Sequence, residues 1–383
     1  MAREPVPPGR WLVKVDGGAH GHPGPVRRRR GWLNRGARTP AGHPHAALAR
    51  RGAGGVSESI VQQLYGALDL GTNNCRLLVA QPSRGGFEVV DAFSRIVRLG
   101  EGVSQSGALS TEAMLRTIAA LRVCANKLKW WQVPRARLIA TQACRMAING
   151  AEFIARVRDE VGLDLEVIDR ETEARLAVAG AAPLIAPDAR NVLVFDIGGG
   201  STELMWISAG ETGHQLDLWT SLAEGVVTIA EAFGGIEVDD ATFMAMRLHV
   251  RPKLESFAAE LARRLGRTPM PDHLLGTSGT VTTISGMQLG LKRYDRSRVD
   301  GAWLRHDDIV EVTAKLLAMS YEERAASPCI GRDRADLVLA GCAILEEIRR
   351  LWPVDRLRVA DRGLREGLLT LMMTEDGTYG QEP

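Results

Sequence analysis

The sequence predicts an α/β protein whose two similar halves face each other across a cleft, preceded by a basic N-terminal tail. Three observations predict it. The apolar run Asn191-Val-Leu-Val-Phe-Asp196 ends in a carboxylate, passes through Gly198, Gly199 and Gly200, and resumes as Ser201-Thr202-Glu203-Leu-Met-Trp-Ile207. That pattern reads as a buried strand, a tight turn and a second strand. The same outline stands 127 positions earlier (196 less 69), where Asp69 matches Asp196, Gly71 matches Gly198, Asn74 matches Ser201 and Arg76 matches Glu203. Each hairpin also opens a comparable succession of strand and helix signals.

Taken in order, residues 1–60 are rich in Pro, Gly, Arg and His without sustained periodicity, and a disordered basic tail is expected there. A first domain is expected over 62–187, with strands at 67–70, 75–80 and 87–99. A helix follows over 111–131, capped by Ser110 or Thr111. A strand over 137–142, a helix over 150–161 capped by Asn149, and a strand over 165–168 complete the half. Three strands, helix, strand, helix, strand is the order of a ribonuclease-H-like domain. A second such domain is expected over 188–376. Its strands fall at 191–197, 202–207 and 216–222, its helices at 225–233 and 239–265. A strand at 273–276, a helix from Thr280, helices over 307–319 and 333–351, a strand at 357–360 and a helix over 363–373 follow. The last helix is a candidate to pack back on the first domain.

The 383 residues suffice for two ordinary domains, and 45% apolar with 25% charged residues is the composition of an average globular protein. The overall charge of +2 conceals an asymmetry: residues 1–60 carry eleven Arg/Lys and three Asp/Glu, about +8, leaving about −6 for the rest. Cys75, Cys124, Cys144, Cys329 and Cys342 are odd in number and lack Cys-x-x-Cys spacing. Scattered thiols in a reducing cytoplasm are expected, rather than disulfides or zinc. No window approaches a membrane span. Arg27 to Arg30 are followed by no hydrophobic segment, so export is not expected. The pair His306-Asp307 lacks the further ligands of a His-Asp metal phosphohydrolase.

The glycine turns are where chemistry is expected. Three glycines remove every Cβ, so backbone N–H groups can close on an anion and positive φ costs nothing. Asp196 and Glu203 flank the turn with hard oxygen donors suited to Mg²⁺. A third turn, Gly276-Thr277-Ser278-Gly279-Thr280, lies between a short strand and a helix, where a helix start favours an anion. By itself it is equally an ordinary cap. Asp169 to Leu176 begins the helix connecting the halves. Glu171 is accounted for by an i,i+4 pair with Arg175. Glu173 projects elsewhere, and is either a solvated first-turn charge or a cleft-facing base for a water attacking phosphorus. Arg145, after a strand, could fork onto phosphate oxygens or simply lie on the surface.

Together these stretches resemble the exopolyphosphatase/guanosine pentaphosphate phosphatase (Ppx/GppA) family of the actin-like ATPase superfamily. The resemblance runs from about Ala67 to Met372. It is carried by Asp69-Leu-Gly-Thr-Asn73, Arg145 with Asn149, Glu173-Ala-Arg175, Asp196-Ile-Gly-Gly-Gly-Ser-Thr-Glu203, Gly276 to Thr280, and Leu364-Arg-Glu-Gly-Leu368. It implies Glu173 as general base, with Glu203 beside it in catalysis. It implies Asp69, Asp196 and Glu203 as metal ligands, and Asn73, Arg145, Gly199, Gly200, Ser201, Ser278 and Gly279 as contacts to substrate phosphate. Arg170-Glu-Thr172-Glu173 stands where members often have Gly-x-Glu-Glu, and the second glutamate is retained. The chain stops at Pro383, soon after the last shared helix, and so resembles the short, two-domain form.

The expected activity is therefore a cytoplasmic, Mg²⁺-dependent release of orthophosphate from the end of inorganic polyphosphate. Hydrolysis of the 5′-phosphate of guanosine pentaphosphate is the alternative, and a non-catalytic alarmone-binding regulator the alternative of another class. Neither membrane nor specific nucleic acid is expected as a partner; a homodimer is suggested only by analogy.

Overall fold

Each of the two sheets is built outward from a glycine-turned hairpin, as the periodicity requires. The structure, a computed structural model, describes residues 63–210 and 213–381; the expected tail lies outside the described residues. The strands are β1 (Tyr65–Leu70), β2 (Asn74–Ser83), β3 (Gly86–Ile96), β4 (Arg135–Ala140), β5 (Glu166–Val167), β6 (Asn191–Ile197), β7 (Thr202–Gly210), β8 (Gly213–Leu222), β9 (His273–Thr277), β10 (Trp303–Arg305) and β11 (Arg356–Ala360). The first sheet runs β3-β2-β1-β4-β5 and the second β10-β11-β9-β6-β7-β8. Both place the first strand of a hairpin centrally, with a parallel neighbour on one side and an antiparallel one on the other. This is the ribonuclease-H-like arrangement in duplicate, and the second copy adds β10 at its edge.

The helices are α1 (Val103–Ser106), α2 (Thr111–Trp130), α3 (Gln142–Met146), α4 (Gly150–Val161), α5 (Arg170–Ala181), α6 (Val226–Phe233), α7 (Asp240–Leu265), α8 (Ser278–Gln288), α9 (Arg296–Val299), α10 (His306–Ala318), α11 (Tyr321–Ala326), α12 (Val338–Leu351) and α13 (Leu364–Glu375). Caps explain several starts. The Ser110 hydroxyl accepts from the Ala113 N–H, and the Asp169 carboxylate from the Thr172 N–H. One expected cap and several expected boundaries differ. Asn149 does not cap α4: its carboxamide accepts from the Leu109 N–H at 2.8 Å and donates to the Leu109 carbonyl at 3.0 Å. Two bonds to one backbone unit use both halves of the amide, whereas a cap uses one. The helix expected from residue 333 begins at Val338, because Gly331 (φ 76) turns the chain and Arg332–Arg334 form a separate 3₁₀ turn. The strand expected to reach Gln142 stops at Ala140, and Gln142 opens α3.

Both sheets are covered on two faces. One face of the second sheet packs on α7, α8, α10 and α12 through Phe195, Trp206, Met246 and Trp352; its other face receives Ala174, Ala177 and Ala181 of α5. Conversely α13 comes from the end of the chain and packs Leu368, Leu369, Met372 and Met373 against Tyr65, Ala67 and Ile139 of the first sheet. The two helices cross with backbone against backbone. A Cβ on Gly180 would lie 2.0 Å from the Gly363 carbonyl oxygen, and one on Gly367 2.1 Å from that of Leu176. Only glycine permits that approach. Among the described residues no helix is long and apolar enough to cross a membrane.

Candidate active site

Strand register assembles the site. In the first hairpin Asp69 lies directly opposite Arg76; in the second Asp196 lies opposite Glu203, and parallel pairing sets Thr277 of β9 beside Asp196. The ends of β1, β6 and β9 therefore meet at one cleft of about 700 Å³. It brings together Asp69, Asn73, Glu173 and Asp196, along with Gly199, Gly200, Ser201, Glu203, Ser278 and Gly279. Of the residues singled out from sequence, Arg145 is not among those lining it.

The glycines have a further reason besides the anion cradle expected of them. Gly198, Gly199 and Gly200 do not use positive φ. A Cβ on Gly199 would stand 3.1 Å from Thr72 Cβ and 3.2 Å from the Asn73 nitrogen, and one on Gly200 2.8 Å from Thr72 Oγ1 and 3.0 Å from Gln142 Cγ. The triple glycine lets the two hairpin tips touch. At the third turn the left-handed residue is Ser278 (φ 76), a conformation rare for a side chain with Cβ. Its hydroxyl donates to the Ile197 carbonyl at 2.6 Å and so ties this turn to the second hairpin.

Glu173 is buried, with 7% of its surface exposed. Arg145 holds it: Nη2 donates to Glu173 Oε2 at 3.1 Å and to Gln142 Oε1 at 2.8 Å, while Nη1 donates to the Ile168 carbonyl at 2.7 Å. The fork expected to grip phosphate is thus engaged with protein groups. Burial pushes the Glu173 carboxyl up to about 7, Arg145 opposing and the nearby Asp69 and Asp196 adding to the rise. Glu203, whose Oε1 accepts from the Ser221 hydroxyl at 2.8 Å, is pushed up to about 8 by burial, then by Glu173 and Asp196. Burial likewise raises Asp69, against Arg76 and Arg365, and Asp196. Four acids share one crevice, and burial outweighs the opposing arginines.

Hard oxygen donors gathered in this way suit a divalent cation. Among the described residues no three His, Cys, Asp or Glu side chains are grouped to hold a metal unaided. Mg²⁺ commonly takes one or two carboxylates and completes its shell with water and substrate phosphate. Asp69, Asp196 and Glu203 supply hard oxygens, and the buried Asn73 Oδ1 has no partner, so the donor set fits.

Six arginines line the cleft: Arg76, Arg95, Arg296, Arg334, Arg362 and Arg365. Arg362 is spent on Asp300, and Arg296 on Glu366 and Asp361. Arg76 and Arg334 have no hydrogen-bonded carboxylate among the described residues, and burial, followed by repulsion from Arg76, lowers the Arg334 pKa. Two guanidinium groups that face one space and repel each other favour an anion between them. The sequence reading gave neither a role. Arg334 was hidden inside an expected helix, although Gly331 marks a break three residues earlier.

The family model for the Ppx/GppA phosphatase family matches residues 78–376. Exopolyphosphatase 2 of Mycobacterium tuberculosis is 32% identical over 318 residues, covering 79% of this chain and 96% of that protein. Among solved structures, the Aquifex aeolicus member of the Ppx/GppA family superposes with a TM-score of 0.68 at 29% identity, covering 82% of this chain and 98% of its own. An exopolyphosphatase from Cytophaga hutchinsonii gives 0.73 at 25% identity, covering 84% and 100%. With its duplicated hairpins meeting at one acidic and arginine-lined cleft, this chain belongs to the Ppx/GppA phosphatase family.

Proposed function

We propose that the protein releases orthophosphate from the end of an inorganic polyphosphate chain, with Glu173 as general base. The observation that carries the reading is the composition of the cleft: buried acids of raised pKa, the guanidinium groups of Arg76 and Arg334 with no hydrogen-bonded carboxylate among the described residues, and glycine-rich turns. Six of the described lining residues are arginine and one, Tyr294, is aromatic, its hydroxyl donating to Asp361 at 2.7 Å. That balance favours a string of phosphates over a nucleobase.

Phosphoryl transfer asks the protein mainly to position groups and stabilise charge. The terminal phosphoryl group would lie against the turns at Gly199, Gly200, Ser201 and Gly279, with Arg76 and Arg334 neutralising its oxygens; losing one such donor typically costs about 10²–10³ in rate. Because the Ser278 hydroxyl is committed to Ile197, that residue would contribute through its backbone. Water attacks the terminal phosphorus, its proton passes to a Glu173 oxygen, and the bridging P–O bond breaks with the shortened chain carrying away the electron pair. Arg145 holds the glutamate in place and need not touch phosphate. One or two of Asp69, Asp196 and Glu203, with water and substrate oxygens, would hold Mg²⁺, which when bound supplies positive charge to the phosphate oxygens. A cytoplasmic location belongs to the same proposal, supported by five buried, unpaired cysteines.

The test is orthophosphate release, with and without Mg²⁺, from polyphosphates of several lengths beside guanosine pentaphosphate and ATP. Turnover of polyphosphate well above the nucleotides is expected. Preference for guanosine pentaphosphate would replace the substrate, and binding without turnover of any of them would make the protein a regulator.

A further inference from the structure

The two halves are fastened to each other at a loop that no part of the proposed chemistry uses. After β3 the chain bends through Arg98, a non-glycine residue in the left-handed region (φ 46), a strain that persists only where surrounding contacts enforce it. Its guanidinium reaches across to the second half. Nη1 donates to Asp336 Oδ2 at 2.9 Å and Nη2 to Asp336 Oδ1 at 2.8 Å, and Nη2 also meets the Asp333 carbonyl at 3.1 Å. Four residues on, the Gly102 N–H donates to Glu231 Oε1 at 2.7 Å, and the Ser104 hydroxyl donates to the other oxygen of Glu231. One loop of the first half thus engages two carboxylates of the second.

Both ends of this fastening are bonded to the phosphate-facing turns. On the first half, the N–H groups of Val97 and Arg98 donate to the Asn73 carbonyl, and that of Gly100 to the Thr72 carbonyl; these are the tip residues of the first hairpin. On the second half, Asp333 and Asp336 flank Arg334, which faces Gly279. Glu231 lies on α6, whose first N–H groups, Val226 and Val227, donate to the carbonyls of Gly198 and Gly199. A second join between the halves is the α5–α13 crossing, where backbone approaches backbone at Gly180 and Gly367, a close contact suited to act as a pivot.

We propose that Arg98, with Asp336 and Glu231, is a latch that holds the hairpin tips together and so sets the population of the substrate-competent cleft. The three are positioning residues: they act on substrate only through the Thr72–Asn73 tip, Arg334 and the start of α6. A binding-competent state that is only partly populated weakens apparent affinity by that fraction. Loosening the latch therefore raises KM more than it lowers kcat.

The experiment uses the full chain. R98A/E231Q is compared with wild type by small-angle scattering with and without inorganic tripolyphosphate, and by orthophosphate release. The variant is expected to have a larger radius of gyration that contracts on adding tripolyphosphate, while wild type changes little. Its KM is expected to rise on the order of 5- to 50-fold, kcat moving less than about threefold, with part of the loss recovered by the charge exchange R98D/D336R. A folded variant with the radius and KM of wild type overturns the latch, as does an equal fall of kcat with KM unchanged. The kinetic arm rests on the phosphatase reading of the cleft and the scattering arm does not: a radius change without turnover in either protein keeps the latch and removes the substrate. If the double variant fails to fold, E231Q alone decides by the same readouts.

Discussion

Replacing Arg145 by alanine separates two roles that an active-site arginine can have. The guanidinium makes three hydrogen bonds, to Ile168, Gln142 and Glu173, and the Arg145–Glu173 pair is 18% and 9% exposed at its two side chains. At the observed 3.1 Å, opposite charges in a medium of effective dielectric about 20 attract by roughly 5 kcal/mol. The cleft admits solvent, so we take a fraction of this, equivalent to about one to two pKa units at about 1.4 kcal/mol each. The sign is set by charge: the cation favours ionised Glu173, so its loss raises a carboxyl that already stands at about 7. A base must be ionised to act, and since half of Glu173 is already protonated at pH 7, the rate there should fall about 5- to 50-fold while recovering towards pH 9. The assay is kcat/KM for phosphate release from pH 5.5 to 9.5. A fall equal at every pH, with the acid limb unmoved and KM raised, would refute the argument and return Arg145 to the substrate.

Three further outcomes follow from the same geometry. Glu173→Gln should bind tripolyphosphate as wild type does by calorimetry but lose roughly 10²–10⁴ in turnover; undiminished release excludes Glu173 as the base. Gly200→Ala places a methyl 2.8 Å from Thr72 Oγ1 and 3.0 Å from Gln142 Cγ, and should lower stability by about 1–3 kcal/mol in a denaturant titration, whereas Gly279→Ala, with its nearest neighbour 3.5 Å away, should unfold like wild type. With chelator present, Asp69, Glu173, Asp196 and Glu203, all raised by burial, contribute stability that is full below their unfolded values near pH 4 and is lost as pH rises through about 7 and 8, the values for Glu173 and Glu203. The melting temperature should fall across that window and recover on adding Mg²⁺. A flat profile without metal contradicts the crowded-acid description.

What the sequence determined by itself is whatever short-range pattern controls. The hairpins around Asp69 and Asp196, the Ser110 cap, and the Glu171–Arg175 pair, observed at 2.6 Å, follow from periodicity, glycine and i,i+4 spacing, which depend on neighbours along the chain. The duplicated hairpin also implied the duplicated sheet, because a strand that must bury both faces leaves few arrangements.

The tertiary structure alone decided which groups meet. Nothing near Gly199 and Gly200 says that their hydrogen atoms face Thr72, Asn73 and Gln142 from the other half. Asn149 has the letter of a helix cap, yet Leu109, forty residues away, offers it two bonds. That Arg145 bonds to Glu173 appears only once α5 brings the two together, and Arg76 and Arg334 stand out only when a folded cleft leaves them without a hydrogen-bonded carboxylate among the described residues. In each case the deciding energy is a long-range contact whose strength depends on desolvation and distance, quantities that a linear order of residues does not contain.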